Sequence, residues 1–490
     1  MDRANVAVRA ISGRPLPSGE WAWENPGTGG YSPAVPKRST AIDVLFVNWR
    51  DASHPEGGGS ERYVHHMAEG LAAAGLRVTL LCAAHDRAPA DEVVNGVSVV
   101  RRGGRLSVYP RALAFVREHR PRLVVDVQNG LPFLSPLVST APVLNLVHHV
   151  HREQWPIVFG RLGGAVGWWL ESRLAPRLYR RSPYVTVSGA TADELAGLGV
   201  DPGRITIVPN GIEPAPAVTA TRSSSPRLVV LGRLVPHKRV EHALEVVARL
   251  RHRWPDIRLS VVGEGWWADD LRATVERLGV EDLVEFHGFL DEQAKHEELA
   301  RAWVHLCPSV KEGWGLVVSE AGHHEVPTVG YRAAGGLKES VLDGRTGLLV
   351  EDLDEFTAAV ERLLADEATR REMGRAAARH AASFSWPASV SAFATVLRAA
   401  AEGSVAGAVV QDVGLHVAGL LDRVVRVHGG RDTQDGGRGE PAATTDGQQE
   451  GDQGLHRGTR FHEGRRRPVT VEVAAMIHNS ATPQTPSPRA

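Results

Sequence analysis

Short, mainly apolar runs of strand length recur along this chain from residue 43 onward. Examples are DVLFVNW at 43–49, RVTLLCA at 77–83, RLVVDV at 122–127, VLNLV at 143–147 and RLVVLG at 227–232. A strand with one face in water alternates apolar and polar residues, whereas a strand covered on both faces does not. Doubly covered strands belong to parallel sheets with helices packed over each side. The spacing predicts the helices: a segment ending near Ala74, stopped by Gly75, separates the first two runs. Further strands are predicted at VSVVRR (97–102), YVTVS (184–188), ITIV (205–208), RLSVV (258–262), LVEFHGF (283–289) and Val304–Leu306. The fold class is therefore α/β, built from β-α-β units.

At 490 residues the chain exceeds one ordinary domain, and two lobes plus tails are expected. Residues 41–218 form the first predicted domain, 219–226 a small polar linker containing RSSSP, and 227–384 the second. A helix is expected over 385–403. Residues 1–40 and most of 404–490 are expected to be disordered, save an amphipathic helix over 404–428, since Gly, Pro, Ser and Gln there show no period. The balance of 42% apolar and 23% charged residues with a net charge of −1 gives no reason for a nucleic-acid partner. Cys82 and Cys307, one per domain, exclude a disulfide framework. Neither a signal-peptide core nor a spanning run is present in the sequence, so a cytoplasmic location is expected.

The stretch HLCPSVKEGWGLVVSEAGHHEVPTVGYRAAGGLKESVLDGRTGLLV, 305–350, concentrates the chemistry. Glu312 and Glu320 stand eight apart, with Gly313 and Gly315 between them and a helix predicted to open near Gly315. Glycines before a helix let a ligand approach its first N–H groups, which suits a diphosphate. The plain reading of the two carboxylates is a loop glutamate and an exposed helix glutamate. Arg233 and Lys238 stand five apart in a strand-to-helix loop, where a fixed guanidinium and a mobile ammonium suit a diphosphate and a solvated surface pair is the plain reading. Gly57, Gly58, Gly59 and Ser60 open the first helix as a close-approach loop for phosphate or acceptor, or as a surface turn. His148, His149 and His151 follow a strand end, where open α/β sheets bind ligands. Strand alternation points neighbours apart, which disfavours a metal site and leaves an active-site role against ordinary surface histidines.

Gly263-x-Gly265-x-x-Ala268 has the form of a dinucleotide fingerprint, which would make the chain an oxidoreductase. That fingerprint needs an acid ending the next strand, and His287-Gly288 stands there, so the nicotinamide reading fails. Asp352-Leu-Asp354 spells a metal-binding D-x-D, but Asp354 is expected to be a helix N-cap, and no metal is expected. Residues 157–181 mix Trp168 and Trp169 with five arginines. Two readings compete: a membrane-surface helix, or a domain helix with a buried aromatic face.

Taken together, Pro308-Ser309, Glu312-Gly313-x-Gly315-Leu316, Glu320-Ala321, Pro327, Gly335-Gly336, Glu339 and Gly347 resemble the Glu-x7-Glu signature of glycosyltransferase family 4. The resemblance covers roughly 42–402, and HHVHREQW with VVDVQNGLPF looks like a bacterial subgroup. It implies the GT-B fold, two Rossmann-like domains facing across a cleft, with the 385–403 helix crossing back to the first. It implies transfer of a sugar from a nucleotide-diphosphate-sugar to a glycan or lipid-linked acceptor hydroxyl, with retention, no metal and no cofactor. By position, Arg233 and Lys238 would hold the donor diphosphate with the N–H groups at Gly315 and Leu316. Glu312 would hold sugar hydroxyls, Glu320 the ribose, and His148, or else His151, would stand near the transferred sugar. Gly263 and Gly288 would line the donor site, and Gly58, Gly59 and Ser60 the acceptor or phosphate loop. Two positions depart from the pattern: Glu325 and Arg239 stand where glycine is usual. A sugar-nucleotide epimerase and a non-catalytic nucleotide-sugar binding protein are the rival readings, and peripheral contact with a membrane is a further expectation.

Overall fold

A computed structural model describes residues 41–403; the expectations for 1–40 and 404–490, the 404–428 helix included, lie outside the described residues. The first lobe holds β1 (Val44–Val47), β2 (Val78–Cys82), β3 (Asp91–Val94), β4 (Val97–Arg101), β5 (Leu123–Val127), β6 (Val143–Val147), β7 (Tyr184–Thr186) and β8 (Ile205–Ile207). They form one sheet in the order β3-β4-β2-β1-β5-β6-β7-β8. The second lobe holds β9 (Arg227–Leu231), β10 (Arg258–Val262), β11 (Val284–Gly288), β12 (Val304–Cys307), β13 (Thr328–Tyr331) and β14 (Gly347–Val350), in the order β11-β10-β9-β12-β13-β14. Every pairing is parallel except β3 with β4. This is the two-domain GT-B architecture.

The mainly apolar runs are the central strands: β1, β2, β5 and β6 are buried at every residue. Helices cover both faces of each sheet, which gives two apolar layers per lobe. The apolar-run criterion misses β3, an edge strand whose burial alternates. It pairs with β4 through Asn95-Gly96, both at positive φ (48° and 86°), the backbone a two-residue hairpin needs.

Helix Trp386–Gly403 lies on the first lobe, where Phe393 stacks on Phe46 with ring centroids 6.0 Å apart. The Ser389 hydroxyl donates to the Pro209 carbonyl at 2.8 Å. In both sheets the strand order reverses direction beside one central strand, β1 or β9. The loops leaving the carboxyl ends of those strands face the space between the lobes, the place where such sheets take ligands.

One cap differs from expectation. The N-cap of helix Leu353–Ala365 is Asp352, whose carboxylate accepts from the Glu355 N–H at 2.9 Å. Asp354 lies inside the first turn and accepts from Arg249 at 2.7 Å. The extended backbone of Asp352 (φ −136°) aims its side chain back at the orphan N–H groups, and a residue already in the helix cannot do so.

Candidate active site

The second lobe supplies a carboxylate and a cation already in contact. β9 leads into the turn Pro236–Lys238, and the Lys238 ammonium donates to Oε1 of Glu312. Ser309 donates its hydroxyl to the same oxygen at 2.7 Å. The Glu312 backbone is pinned too: its N–H donates to Ala334 and its carbonyl accepts from Gly336, each at 3.0 Å. Burial alone would raise the Glu312 pKa, but the Lys238 charge and the hydrogen bonds its carboxylate accepts from Lys238 and Ser309 outweigh it and leave the group ionised, below its ordinary value. Gly315 then turns left-handed (φ 90°) and opens helix Leu316–His323. Within that helix Glu320 accepts from Lys295 at 3.0 Å and from Arg62 of the first lobe at 3.2 Å. Burial opposes ionisation of Glu320, yet the Lys295 and Arg62 charges bring its pKa down to about 2.

From the first lobe comes the glycine loop. Gly58 caps helix Gly59–Ala73 and donates its N–H to Glu61 at 2.8 Å. Glu61 is fully buried and pairs with Arg50 at 3.3 Å. Arg50 and Arg233 both donate to the Glu56 carbonyl, at 2.7 and 3.2 Å. The Arg233 guanidinium therefore rests against the glycine loop, where a Cβ on Gly58 would stand 3.6 Å from its Nε. Ser60, in the first turn of that helix, helps hold the Glu61 carboxylate ionised.

His148 is buried at the end of β6, edge-on to Tyr63 at 5.2 Å between ring centroids, and among the described residues its Nε2 has no hydrogen-bond partner. Burial depresses its pKa to about 4, so the ring is neutral near pH 7. Its carbonyl meets the second lobe: a Cβ on Gly313 would lie 2.5 Å from it. His149 and His151 turn elsewhere, to Gln154 at 3.1 Å and to Glu171 at 3.0 Å.

These contacts place Arg233, Lys238, Glu312, Leu316, Gly58, Gly59 and His148 around one cleft. Leu316 closes on the glycine loop, its Cδ1 lying 3.1 Å from where a Gly59 Cβ would be. Glu320 is drawn to the same boundary by Arg62. Gly263 and Gly288 are held by backbone crossing: the Gly263 N–H donates to the Gly288 carbonyl at 2.8 Å, and a Cβ on Gly263 would fall 2.0 Å from the Gly232 oxygen. A Cβ on Gly265 would fall 2.1 Å from the Leu234 oxygen. Close passage of two loops accounts for these glycines without a dinucleotide. Among the described residues no group of three His, Cys, Asp or Glu side chains is placed to hold a metal ion.

A family model described as Glycosyltransferase Family 4 matches residues 57–216, and one described as Glycosyl transferases group 1 matches 212–380. The chain is a glycosyltransferase of the GT-B fold. It is 29% identical over 406 residues to glycogen synthase of Mycobacterium tuberculosis, a match covering 74% of this chain and 95% of that protein. It is 32% identical over 285 residues to the D-inositol 3-phosphate glycosyltransferase of Stackebrandtia nassauensis, covering 52% of this chain and 60% of that one. Sucrose-phosphate synthase from Thermosynechococcus elongatus has the same fold, with a TM-score of 0.62 at 20% identity over 73% of this chain and 98% of that structure.

Several side-chain contacts of this glycosyltransferase's cleft escaped the sequence reading. Arg62 and Lys295 grip Glu320 from helices far away in the chain. The Glu339 carboxylate accepts from the N–H groups of Gly189 and Ala190, at 2.9 and 3.0 Å, so a second-lobe acid caps a first-lobe helix. Lys311 pairs with Glu194 across the same boundary. A cavity of about 450 Å³ lies beside these two ties, lined by Gly189, Glu194, Lys311, Gly335, Lys338 and Glu339. One signal was available for Glu61: an acid three residues beyond a helix N-cap is half of a capping box.

Proposed function

We propose that this glycosyltransferase moves a sugar from a nucleotide-diphosphate-sugar to an acceptor hydroxyl in cell-envelope polysaccharide or glycolipid synthesis, with the anomeric configuration retained and no metal required. The observation that carries the reading is convergence: two cations, a buried carboxylate and a helix start from one lobe meet the glycine loop and neutral His148 of the other. Relatives named for glycogen and for inositol-phosphate glycosylation support the substrate classes.

Breaking the bond between the anomeric carbon and the diphosphate oxygen leaves negative charge on the diphosphate and positive charge on the sugar. Arg233, Lys238 and the N–H groups at Gly315 and Leu316 stabilise the first charge in a site held ready for it. Glu312 holds sugar hydroxyls and shields the second; Glu320 binds the ribose. The acceptor oxygen attacks on the face the diphosphate leaves, and its proton passes to the departing phosphate oxygen. No second carboxylate is assigned as acid or base. Neutral His148, with Nε2 unpartnered among the described residues, offers a hydrogen bond to a sugar hydroxyl.

Isothermal titration with a panel of nucleotide sugars, then transfer assays with and without EDTA, tests the proposal, and proton NMR of the product reads the anomeric configuration. Binding of one donor and EDTA-insensitive transfer with retention are expected. Donor epimerised without any acceptor, or bound and left intact with every acceptor, would overturn it in favour of an epimerase or a binding protein.

A further inference from the structure

The segment after β6 doubles back on itself. Helix Gln154–Trp169 is broken at Gly160, whose φ of 67° no helix contains. A Cβ on Gly164 would stand 2.8 Å from the Pro156 nitrogen, and one on Gly167 would stand 2.2 Å from the Trp155 ring. The two arms of a helical hairpin are therefore in backbone contact. Buried Glu171 fastens the base, accepting from the Trp155 indole at 2.6 Å and from His151 at 3.0 Å. Helix Gln154–Trp169 also contacts the turn Pro236–Lys238 that carries the site lysine.

The outside of this hairpin is apolar. Ile157, Val158, Phe159, Leu162, Val166 and Trp169 are all exposed, Leu162 at 87%. Both sequence readings of 157–181 are thus modified: Trp168 packs half-buried into the lobe while Trp169 points out. Six large apolar side chains in so short a span form a patch, not a scatter. Along 154–181 the exposed charges are arginines, and Glu153, an exposed acid, stands just before the hairpin. Arg161, Arg173, Arg177, Arg180 and Arg181 are exposed, and the single acid of 154–181, Glu171, is buried. Arg105 joins the patch to the cleft side of the lobe, its guanidinium carbon 5.7 Å from the Phe159 ring and 5.7 Å from the Trp49 ring. Trp49, His54, Glu56 and Arg105 line a cavity of about 200 Å³ at the carboxyl ends of β1 and β2.

We propose that the hairpin is a membrane-docking element whose tip enters the interfacial layer of an anionic phospholipid surface, with the arginines on lipid phosphates. An apolar face with Arg161 within it and Arg105 at its edge matches such a surface in both chemistry and charge. A second copy of the chain matches less well, because a symmetric contact would set the arginines of one copy against those of the other. No helix among the described residues is long and apolar enough to cross a membrane, so the contact is made at the surface. One consequence rests on the proposed function: a lipid-carried acceptor reaches the 200 Å³ cavity from the docked side, past Arg105.

The test is flotation of the full chain with vesicles of phosphatidylglycerol and phosphatidylcholine, against vesicles of phosphatidylcholine alone. The chain floats with the anionic vesicles, less so at high salt. Leu162→Glu and Arg161→Glu each lower the floated fraction about tenfold, and Leu162→Glu leaves donor affinity by titration unchanged. Wild-type protein left at the bottom with anionic vesicles overturns the proposal. So does Leu162→Glu floating like wild type, or a wild-type dimer in light scattering that Leu162→Glu dissolves. Donor affinity of the variant reports separately on the glycosyltransferase reading.

Discussion

Replacing Gly313 by alanine forces the two lobes apart by an amount the structure fixes. The new Cβ would lie 2.5 Å from the His148 carbonyl oxygen, and ordinary contact begins at 3.4 Å. The obstacle is backbone at the end of a buried strand, so no side chain can rotate out of the way. The lobes must part locally by about 1 Å, and Glu312, next in sequence, moves with Gly313. A misplacement of about 1 Å between reacting groups costs roughly 100-fold in turnover. The assay is transfer kcat at saturating donor, paired with donor Kd by titration. Turnover is expected to fall about 100-fold while Kd changes little, because Arg233, Lys238 and Glu320 share one lobe. Gly197→Ala, at a helix end with nothing within 4 Å of its added methyl, serves as control. Turnover of Gly313→Ala matching that control would refute the claim that this contact sets the catalytic geometry.

Three more outcomes are expected. Lys238→Met lowers kcat/KM by about 10- to 100-fold through loss of one charge-assisted contact. Adding Glu312→Gln to it recovers thermal stability without recovering turnover, and near-normal turnover in Lys238→Met would reduce the lysine to a structural counter-ion. Glu325 occupies a left-handed backbone position (φ 56°), so Glu325→Gly should raise stability by about 1 kcal/mol in urea unfolding, and a fall would show that its side chain contributes more than the strain costs. The Glu320 pKa lies near 2, below its ordinary 4.5, so its pairing stabilises the fold above pH 4.5 and is lost as pH falls from there towards 2. The melting-temperature gap between wild type and Glu320→Gln should therefore narrow between pH 6 and pH 3; a constant gap contradicts the assignment.

The fold class was legible because burial on two faces leaves a plain trace in sequence: residues 43–49 and 227–232 read as interior strands by their apolar runs and strand length. Edge strand β3 left almost none, since DEVV alternates and half-faces water, and only Asn95-Gly96 marked its turn. The left-handed backbone at Glu325 and Arg239 was legible as a departure from a glycine pattern, and both have positive φ. Other features depend on distance in space. Arg62 stands 258 residues from Glu320, so no local spacing pairs them. The chain reversal at Gly160 was hidden for another reason: glycine is also tolerated inside helices, and the segment's composition reads equally well as one helix.

The border between the lobes is stitched by polar threads: Arg62 to Glu320, Lys311 to Glu194, Glu339 to the N–H groups of Gly189 and Ala190, Arg233 to Glu56. Water can take over each of these partners if the halves part, whereas Trp314 and Leu316, which pack against the first lobe's apolar cluster, would lose contact with it. Of these threads, Arg62 to Glu320 and Lys311 to Glu194 are ion pairs, so dissolved salt is expected to ease the parting of the halves.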